Sequence, residues 1–298
     1  MPDRHPGLAG VLGALVIAFS AILVDLADVS PAAAAAFRCG YALPVLGALA
    51  WWEDRRYGRR DWRERRLARA AGLLFAVELI AWHHAIADVG AGLATVLGNL
   101  QVVVVPFLAL ALLREPVPRR ILVALPVVCA GVLLVSGALE SGAYGANPAR
   151  GVLYGIVTGL TYGAFLLVQR QGSHDLRRPA GPLFDMSLIA AVAAAAYALA
   201  LGDGDLVPAW PSAGWLLLLA LTSQVLGWLL ITVSLPRLPA AMTSLTLTIQ
   251  PIGSVALGAI LLGQDPSALQ LAGVACILAG LLSVALRRRP ARYAAAAE

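Results

Sequence analysis

The 298-residue chain has no lysine: all 22 of its basic residues are arginine. Charge of either sign is scarce, at 13% of residues against about 25% in soluble domains, while 60% are hydrophobic against roughly 45–50%. That excludes a disordered chain and an ordinary water-soluble enzyme. Cysteine is nearly missing as well. Cys39, Cys129 and Cys276 each stand alone in an apolar run. Their spacing offers no disulfide framework and no zinc site, so small apolar packing residues are what they resemble. The sequence also lacks Ser/Gly linkers, a phosphate-binding loop, and a nucleophile and base at reach spacing. A separate soluble domain is therefore not expected, a membrane-embedded enzyme has little behind it, and no cofactor is called for.

What the chain does have is apolar length. Stretches long enough for lipid, about 17–25 residues each, cover 8–26, 33–52, 69–87, 91–113, 119–138, 151–169, 182–201, 213–234, 240–262 and 268–286. Backbone polar groups must pair internally in hydrocarbon, and these runs lack the alternation of a barrel, so each reads as a helix. The expected fold is an all-α membrane protein of ten transmembrane helices, with the lipid bilayer as its first partner.

The arginines decide which way the helices run. Arg4 precedes the first span, and Arg55, Arg56, Arg59, Arg60, Arg63, Arg65, Arg66 and Arg69 fill and flank the second connection. Arg114, Arg119 and Arg120 lie in the fourth, Arg170, Arg177 and Arg178 in the sixth, and Arg237 in the eighth. Arg287, Arg288, Arg289 and Arg292 follow the last span. All of these fall on one side. The other side has only Arg150, together with Asp25, Asp28, Asp88, Asp203, Asp205 and Asp265, and Arg38 lies inside the second span. By the positive-inside rule both termini are expected in the cytoplasm and the chain in the cytoplasmic membrane. Arg4 ahead of an apolar run also fits a cleavable signal peptide, but its removal would leave nine spans. Nucleic acid is not an expected partner: the arginine-rich connection is interleaved with Glu53, Asp54, Asp61 and Glu64 and has no base-stacking array.

The chain also repeats at half its length. At an offset of about 149, Gly92-Leu-Ala-Thr95 through Gln101 lies on Ala241-Met-Thr-Ser244 through Gln250. One residue of slip later, Glu115-Pro116 lies on Asp265-Pro266, and Gly131-Val-Leu-Leu134 lies on Gly280-Leu-Leu-Ser283. The expected domains are residues 1–147 and 148–298, each with five spans. An odd number makes the second copy enter the membrane in the opposite sense, and such inverted repeats place a substrate site at the midplane between them.

Phe37-Arg38, the run Ala85-Ile-Ala-Asp-Val-Gly-Ala-Gly-Leu-Ala-Thr95 leading to Pro106, and Arg114-Glu115-Pro116 together resemble the EamA-type carriers of the drug/metabolite transporter superfamily. Leu235-Pro-Arg-Leu-Pro-Ala-Ala-Met-Thr243 through Gln250-Pro251 to Gly263-Gln-Asp265 resembles the same module again. The resemblance implies ten helices with cytoplasmic termini, and export of small metabolites, amino acids or drugs. Where the family commonly ends the second copy's span on Glu, this chain has Asp265, which reads as a helix cap.

An ionisable side chain at the bilayer centre costs roughly 2.5–3.5 kcal/mol even on insertion scales, so Glu78, nine residues into the third span, is the first candidate for binding solute or a proton. Interhelical hydrogen bonding is its structural alternative. Trp82 shares its face at i, i+4. Gln224 and Trp228 repeat that spacing in the eighth span at an offset of 146. Asn99 and Gln101 in the fourth span point about 200° apart, so only one faces a given ligand. Thr95 shares a face with Asn99, and Thr246 with Gln250, while Ser244 and Thr248 make a second polar stripe. Arg38 either snorkels to the interface or pairs with Glu78 or a substrate. His83 and His84 are adjacent and about 100° apart, poor geometry for a metal, so none is expected. Gly155, Gly159 and Gly163 form a small-residue ridge that suits close packing or a homodimer.

Together these residues read as a secondary carrier of a small solute that exports by alternating access, with Glu78 the candidate for proton coupling. A non-transporting helical scaffold or sensor is the competing class. It would not need polar groups at one depth from spans three, four, eight and nine.

Overall fold

A computed structural model describes residues 6–285 apart from 115, 173, 174, 176, 203–205 and 235–239; at 6, 113, 170 and 240–248 it describes the backbone only. All regular structure among the described residues is helical. The first apolar stretch divides into α1 (Pro6–Ala18) and α2 (Ser20–Ala27), with the break at Phe19. There the Ser20 hydroxyl donates to the Ile17 carbonyl at 2.6 Å, a local bond that competes with the helical ladder. α3 (Pro31–Gly40) starts where the Ser30 hydroxyl accepts from the Ala33 N–H at 3.2 Å and Pro31 takes the first position, where a missing N–H costs nothing. α4 (Leu43–Tyr57) resumes the second stretch, with Pro44 in its first turn.

α5 (Trp62–Gly98) is capped by Asp61, whose carboxylate accepts from the Trp62 N–H at 2.7 Å. The sequence predicts two helices here, over 69–87 and 91–113, and the helical run does break between them, at Gly90, which leaves helical geometry and kinks α5 into two segments. Gly90 has φ 84° and ψ 164°, a conformation only glycine adopts without strain. A side chain at that position would also meet the Gln264 amide at 2.9 Å. α6 (Gln101–Leu113) completes the fourth stretch and α7 (Arg119–Val135) the fifth. α8 (Pro148–Gly172) and α9 (Ala180–Leu201) follow. The eighth stretch is α10 (Ser212–Leu219), a π-helical segment (Ala220–Gly227) and α11 (Trp228–Ser234). α12 (Ala240–Leu262) and α13 (Ala268–Ala285) close the chain.

Among the described residues, six stretches are long and apolar enough to cross a membrane: Gly7–Ala27, Pro31–Tyr57, Trp62–Gly98, Pro148–Gln169, Ala180–Leu201 and Ser212–Ser234. Shorter apolar helices cover Gln101–Leu112, Ile249–Leu262 and Ala268–Val284. α5 makes its most extensive contact with α8 and also packs on α9 and α12; α3 and α4 lie on α9, α1 lies on α12 and α11, and α7 pairs with α13.

Glycine sets how near these helices come. The ridge Gly155, Gly159, Gly163 of α8 is filled from within the chain: a Cβ there would meet Leu97 at 2.5 Å, Leu100 at 3.0 Å and Val104 at 3.1 Å. That stripe is therefore not free to carry a homodimer. Where α7 crosses α13, a Cβ on Gly131 or on Gly273 would stand 2.7 Å from the other's carbonyl oxygen. Gly131→Ala is expected to cost about 1–3 kcal/mol through forced separation of the helices, seen as a lower thermal midpoint in detergent. Gly40→Ala, with nothing within 4 Å of the added carbon, is the neutral control.

Polar ties hold opposite ends of the bundle, some 40 Å apart along the first 28 residues of α5 at 1.5 Å each. At the end carrying the α4–α5 connection, Arg60 pairs with Asp185 of α9 at 2.7 Å, with only 4% and 5% of the two side chains exposed. Beside it both Glu53 carboxylate oxygens accept the first N–H groups of α9, from Ala180 at 2.9 Å and Gly181 at 2.8 Å, satisfying donors a helix start leaves open. In the nearby connection Asp175 is held down to about 2, first by its hydrogen bonds from Arg177. At the opposite end Arg150 grips Asp88 with two hydrogen bonds, of 2.8 and 2.6 Å. Gln264 accepts from the Gly92 N–H at 3.3 Å, and Gln270 accepts from the Tyr144 N–H at 2.8 Å.

Candidate functional site

The helix breaks converge on one cavity of about 50 Å³, lined by Ile17, Ser20, Arg38, Phe75, Glu78, Leu79, Trp82, Thr95, Gly98, Asn99, Tyr162, Trp228 and Gln250. Ser20 begins α2 after the first break, Arg38 lies in the last turn of α3 before the second, and Asn99 caps α5. Trp228 follows the π segment, and Gln250 precedes Pro251 inside α12. In lipid, irregular backbone is tolerated where it lines a cavity, and π turns recur at functional positions.

An arginine and a carboxyl group face this space without touching: among the described residues no ion pair joins Arg38 to Glu78 within 4.0 Å. Arg38 is 3% exposed, so it does not snorkel. Its Nε donates to Gln224 Oε1 at 3.0 Å, and Gln224 Nε2 donates in turn to Ser187 Oγ at 3.0 Å. The guanidinium also lies 5.7 Å from the centre of the Trp82 ring, within cation–π range. Position along α3 adds to this, since a cation in the last helical turn faces the carbonyl end of the dipole. Glu78, on α5, has its Oε2 buried with no hydrogen-bond partner among the described residues, and the same is true of Trp228 Nε1. Phe75, Phe165, Tyr162 and Trp228 stack around one wall, with Phe75 edge-on to Trp228 at 5.8 Å.

Of the residues singled out from sequence, Arg38, Glu78, Trp82, Thr95, Asn99, Trp228 and Gln250 line the cavity. Thr95 and Asn99 bond within their own helix, to the carbonyls of Ala91 at 2.8 Å and Thr95 at 2.9 Å. Gln101, the first residue of α6, is buried but off the cavity. Gln224 is also off the cavity, behind Arg38. The i, i+4 rule that brings Glu78 and Trp82 together fails for Gln224 and Trp228 because the intervening turns are bonded i to i+5. The Thr246 side chain lies outside the described residues. Among the described residues no three metal-ligating side chains gather.

Ser20, Tyr162 and Ser187 carry no signal that separates them from ordinary packing residues in apolar helices. Phe75 precedes Glu78 by three residues, so its place on the same helical face was readable.

These features define a helical membrane protein with a polar cavity, lined by an arginine and a glutamate and walled by aromatic rings. The profile of the EamA-like transporter family matches the chain twice, over residues 6–137 and 149–286, and the chain belongs to that family. Its members are transporters, which makes this a transporter of the drug/metabolite type. No curated protein matches the chain. Among solved structures, one described as "Crystal structure of protein" matches with a TM-score of 0.62 at 17% identity, over 94% of this chain and 96% of its own, a likeness of fold.

Proposed function

We propose that the chain is a secondary carrier exporting a small solute across the cytoplasmic membrane by alternating access, with Glu78 exchanging protons. The observation that carries this is a cavity in which broken helices of the first half bring Arg38 and Glu78 to one buried place and the second half adds Tyr162, Trp228 and Gln250. The reading takes the helices as ten passes in two inverted five-helix repeats, 1–147 and 148–298. In its favour, the contacts pair up under exchange of the halves: α1 against α11 and α12 answers α8 against α5 and α6, α3 and α4 meet α9, and α7 meets α13. The arginine distribution favours cytoplasmic termini, although Arg4, Arg237, Arg287–Arg289 and Arg292 lie outside the described residues. A cavity of about 50 Å³ is far below the roughly 300–1,000 Å³ of drug-sized sites, so in this form it has room for a small polar group and not for a drug-sized solute.

The test is metabolite profiling of medium and cytosol from cells overproducing the chain, followed by uptake of the responding solute into liposomes holding the purified protein. A carrier gives saturable uptake. Gln250→Ala, which removes a cavity amide, is expected to raise KM roughly tenfold, the worth of a hydrogen bond or two, while the off-cavity change Gln101→Ala leaves KM unchanged. A scaffold or sensor would transport nothing, and equal effects of the two variants would refute the site.

A further inference from the structure

At the end of the bundle that carries the α4–α5 connection, basic and aromatic side chains lie together on the outside. Arg55, Arg56, Arg59, Arg63, Arg66 and Arg69 are exposed, and among the described residues none of them has a carboxylate within 4.0 Å. The nearby acids do not balance them: Asp54 is taken by Arg65 at 3.6 Å, Glu53 by the start of α9 and Asp61 by the start of α5, which leaves Glu64. Trp51, Trp52 and Trp62 are each more than half exposed. A guanidinium covers one face of two of these rings, Arg55 at 4.1 Å from the centre of Trp51 and Arg66 at 5.1 Å from that of Trp62. The positive-inside rule asks only for basic residues on one side of the membrane. It needs neither exposed indoles nor any alignment.

The alignment selects the partner. Trp62, Arg66, Arg69, Leu73 and Val77 fall on one stripe of α5, within about 80° on the helical wheel, and all five are exposed. Leu73 and Val77 belong to the hydrocarbon face. Helical side chains lean toward the N-terminus, so the guanidiniums of Arg66 and Arg69 are carried away from the hydrocarbon toward the level of lipid head groups. Val45, Leu49, Trp52 and Arg56 make an equivalent exposed stripe on α4, again apolar first and basic last. Unpaired cations above a lipid-facing apolar stripe fit a molecule with an anionic head and acyl chains. A guanidinium stacked on an indole keeps its in-plane N–H donors free, and these match phosphate oxygens two at a time. With no lysine in the chain, every side-chain ammonium is excluded here. We infer that the α4–α5 connection seats anionic phospholipid, with the phosphate on Arg66 and Arg69 beside Trp62 and an acyl chain along Leu73 and Val77; Arg56 and Trp52 form a second seat of the same kind. Phosphatidylcholine has the phosphate too, but its choline would meet the surplus of arginine, whereas phosphatidylglycerol brings no opposing cation.

The assignment is independent of the carrier reading and is tested by binding. The purified full chain is placed in vesicles of dioleoyl phosphatidylcholine, into which phosphatidylglycerol or phosphatidylcholine with brominated chains is titrated. Bromine quenches the fluorescence of an indole it touches. Half-maximal quenching is expected at a fraction at least about tenfold lower for phosphatidylglycerol, since each arginine near the surface contributes about fivefold. The gap should narrow at about 1 M salt, where the screening length falls to roughly 3 Å. Arg66→Gln with Arg69→Gln should cut the preference to about threefold or less. Arg119→Gln with Arg120→Gln, also exposed, at the start of α7, should leave it within about twofold of the native value. The comparison of head groups uses the unaltered protein, so it decides even where a variant does not fold. Equal quenching by the two lipids overturns the assignment. So does an equal loss from the two arginine pairs, the mark of a basic face attracting any anionic surface. Competition by millimolar glycerol phosphate would make this a site for free phosphate and overturns it as well.

Discussion

Replacing Glu78 by glutamine is expected to abolish proton-driven accumulation while leaving solute exchange measurable at raised concentration. Glutamine keeps the size and one hydrogen-bonding oxygen but neither ionises nor takes up a proton. Glu78 has a buried, unpartnered oxygen on the cavity, and Arg38 is the other charged residue lining that space. On the carrier reading proposed above, a proton arriving at the carboxylate when the cavity opens outward displaces the solute. When it opens inward the proton leaves and solute returns. One atom thus serves two ligands that exclude each other, the minimum needed for exchange. In liposomes with an imposed pH gradient the native chain should move solute against its concentration, whereas Glu78→Gln should bring the internal and external concentrations to the same value, with or without the gradient. A variant that still concentrates solute with unchanged dependence on the gradient would end the coupling role.

Asp185→Ala is expected to be the most damaging single change to stability. It removes the partner of Arg60 where both side chains are at most 5% exposed, and Arg60 Nε and Nη1 already have no other partner among the described residues. Stranding a buried guanidinium in this way costs about 3–5 kcal/mol, mostly desolvation left uncompensated. The double change Arg60→Met with Asp185→Leu removes both charges and keeps similar volume, and should recover to within about 1 kcal/mol of the native chain. Denaturation in detergent micelles measures both. If Asp185→Ala costs under about 1 kcal/mol, water reaches the pair and the tie is weak.

The contrast between what could and could not be read from the sequence is physical. Apolar length and arginine placement are properties of consecutive residues, so the helical stretches and the basic connections were legible without any fold. Glu78 with Trp82 was legible because regular α geometry converts spacing into a shared face. Gln224 with Trp228 was not, because the π segment changes the step between them. Whether Asn99 or Gln101 lines the cavity turned on where α5 ends and α6 begins, and that depends on neighbours. The clasp of Glu53, Arg60, Asp185 and the start of α9 joins residues more than 120 positions apart, and local patterns hold no trace of such a partnership. Ser187 is similar: it matters because it holds Gln224, and only the packing of α9 against its neighbours shows it.

The two polar clasps at the ends of the bundle are unequal. Arg60 and Asp185 are both buried, whereas Arg150 keeps 59% of its side chain in contact with solvent while Asp88 keeps 4%. Releasing the first exposes two desolvated charges to a search for new partners; releasing the second lets a hydrated guanidinium swing away. Within the alternating-access reading, the form open at the Arg150 end is therefore the more accessible of the two. A ligand's apparent affinity scales with the fraction of molecules already able to receive it, so the same solute should meet different half-saturation on the two faces. The asymmetry would make initial rates under equal and opposite gradients differ between the two directions, while net flow still vanishes when the gradients balance, even though the cavity itself is shared.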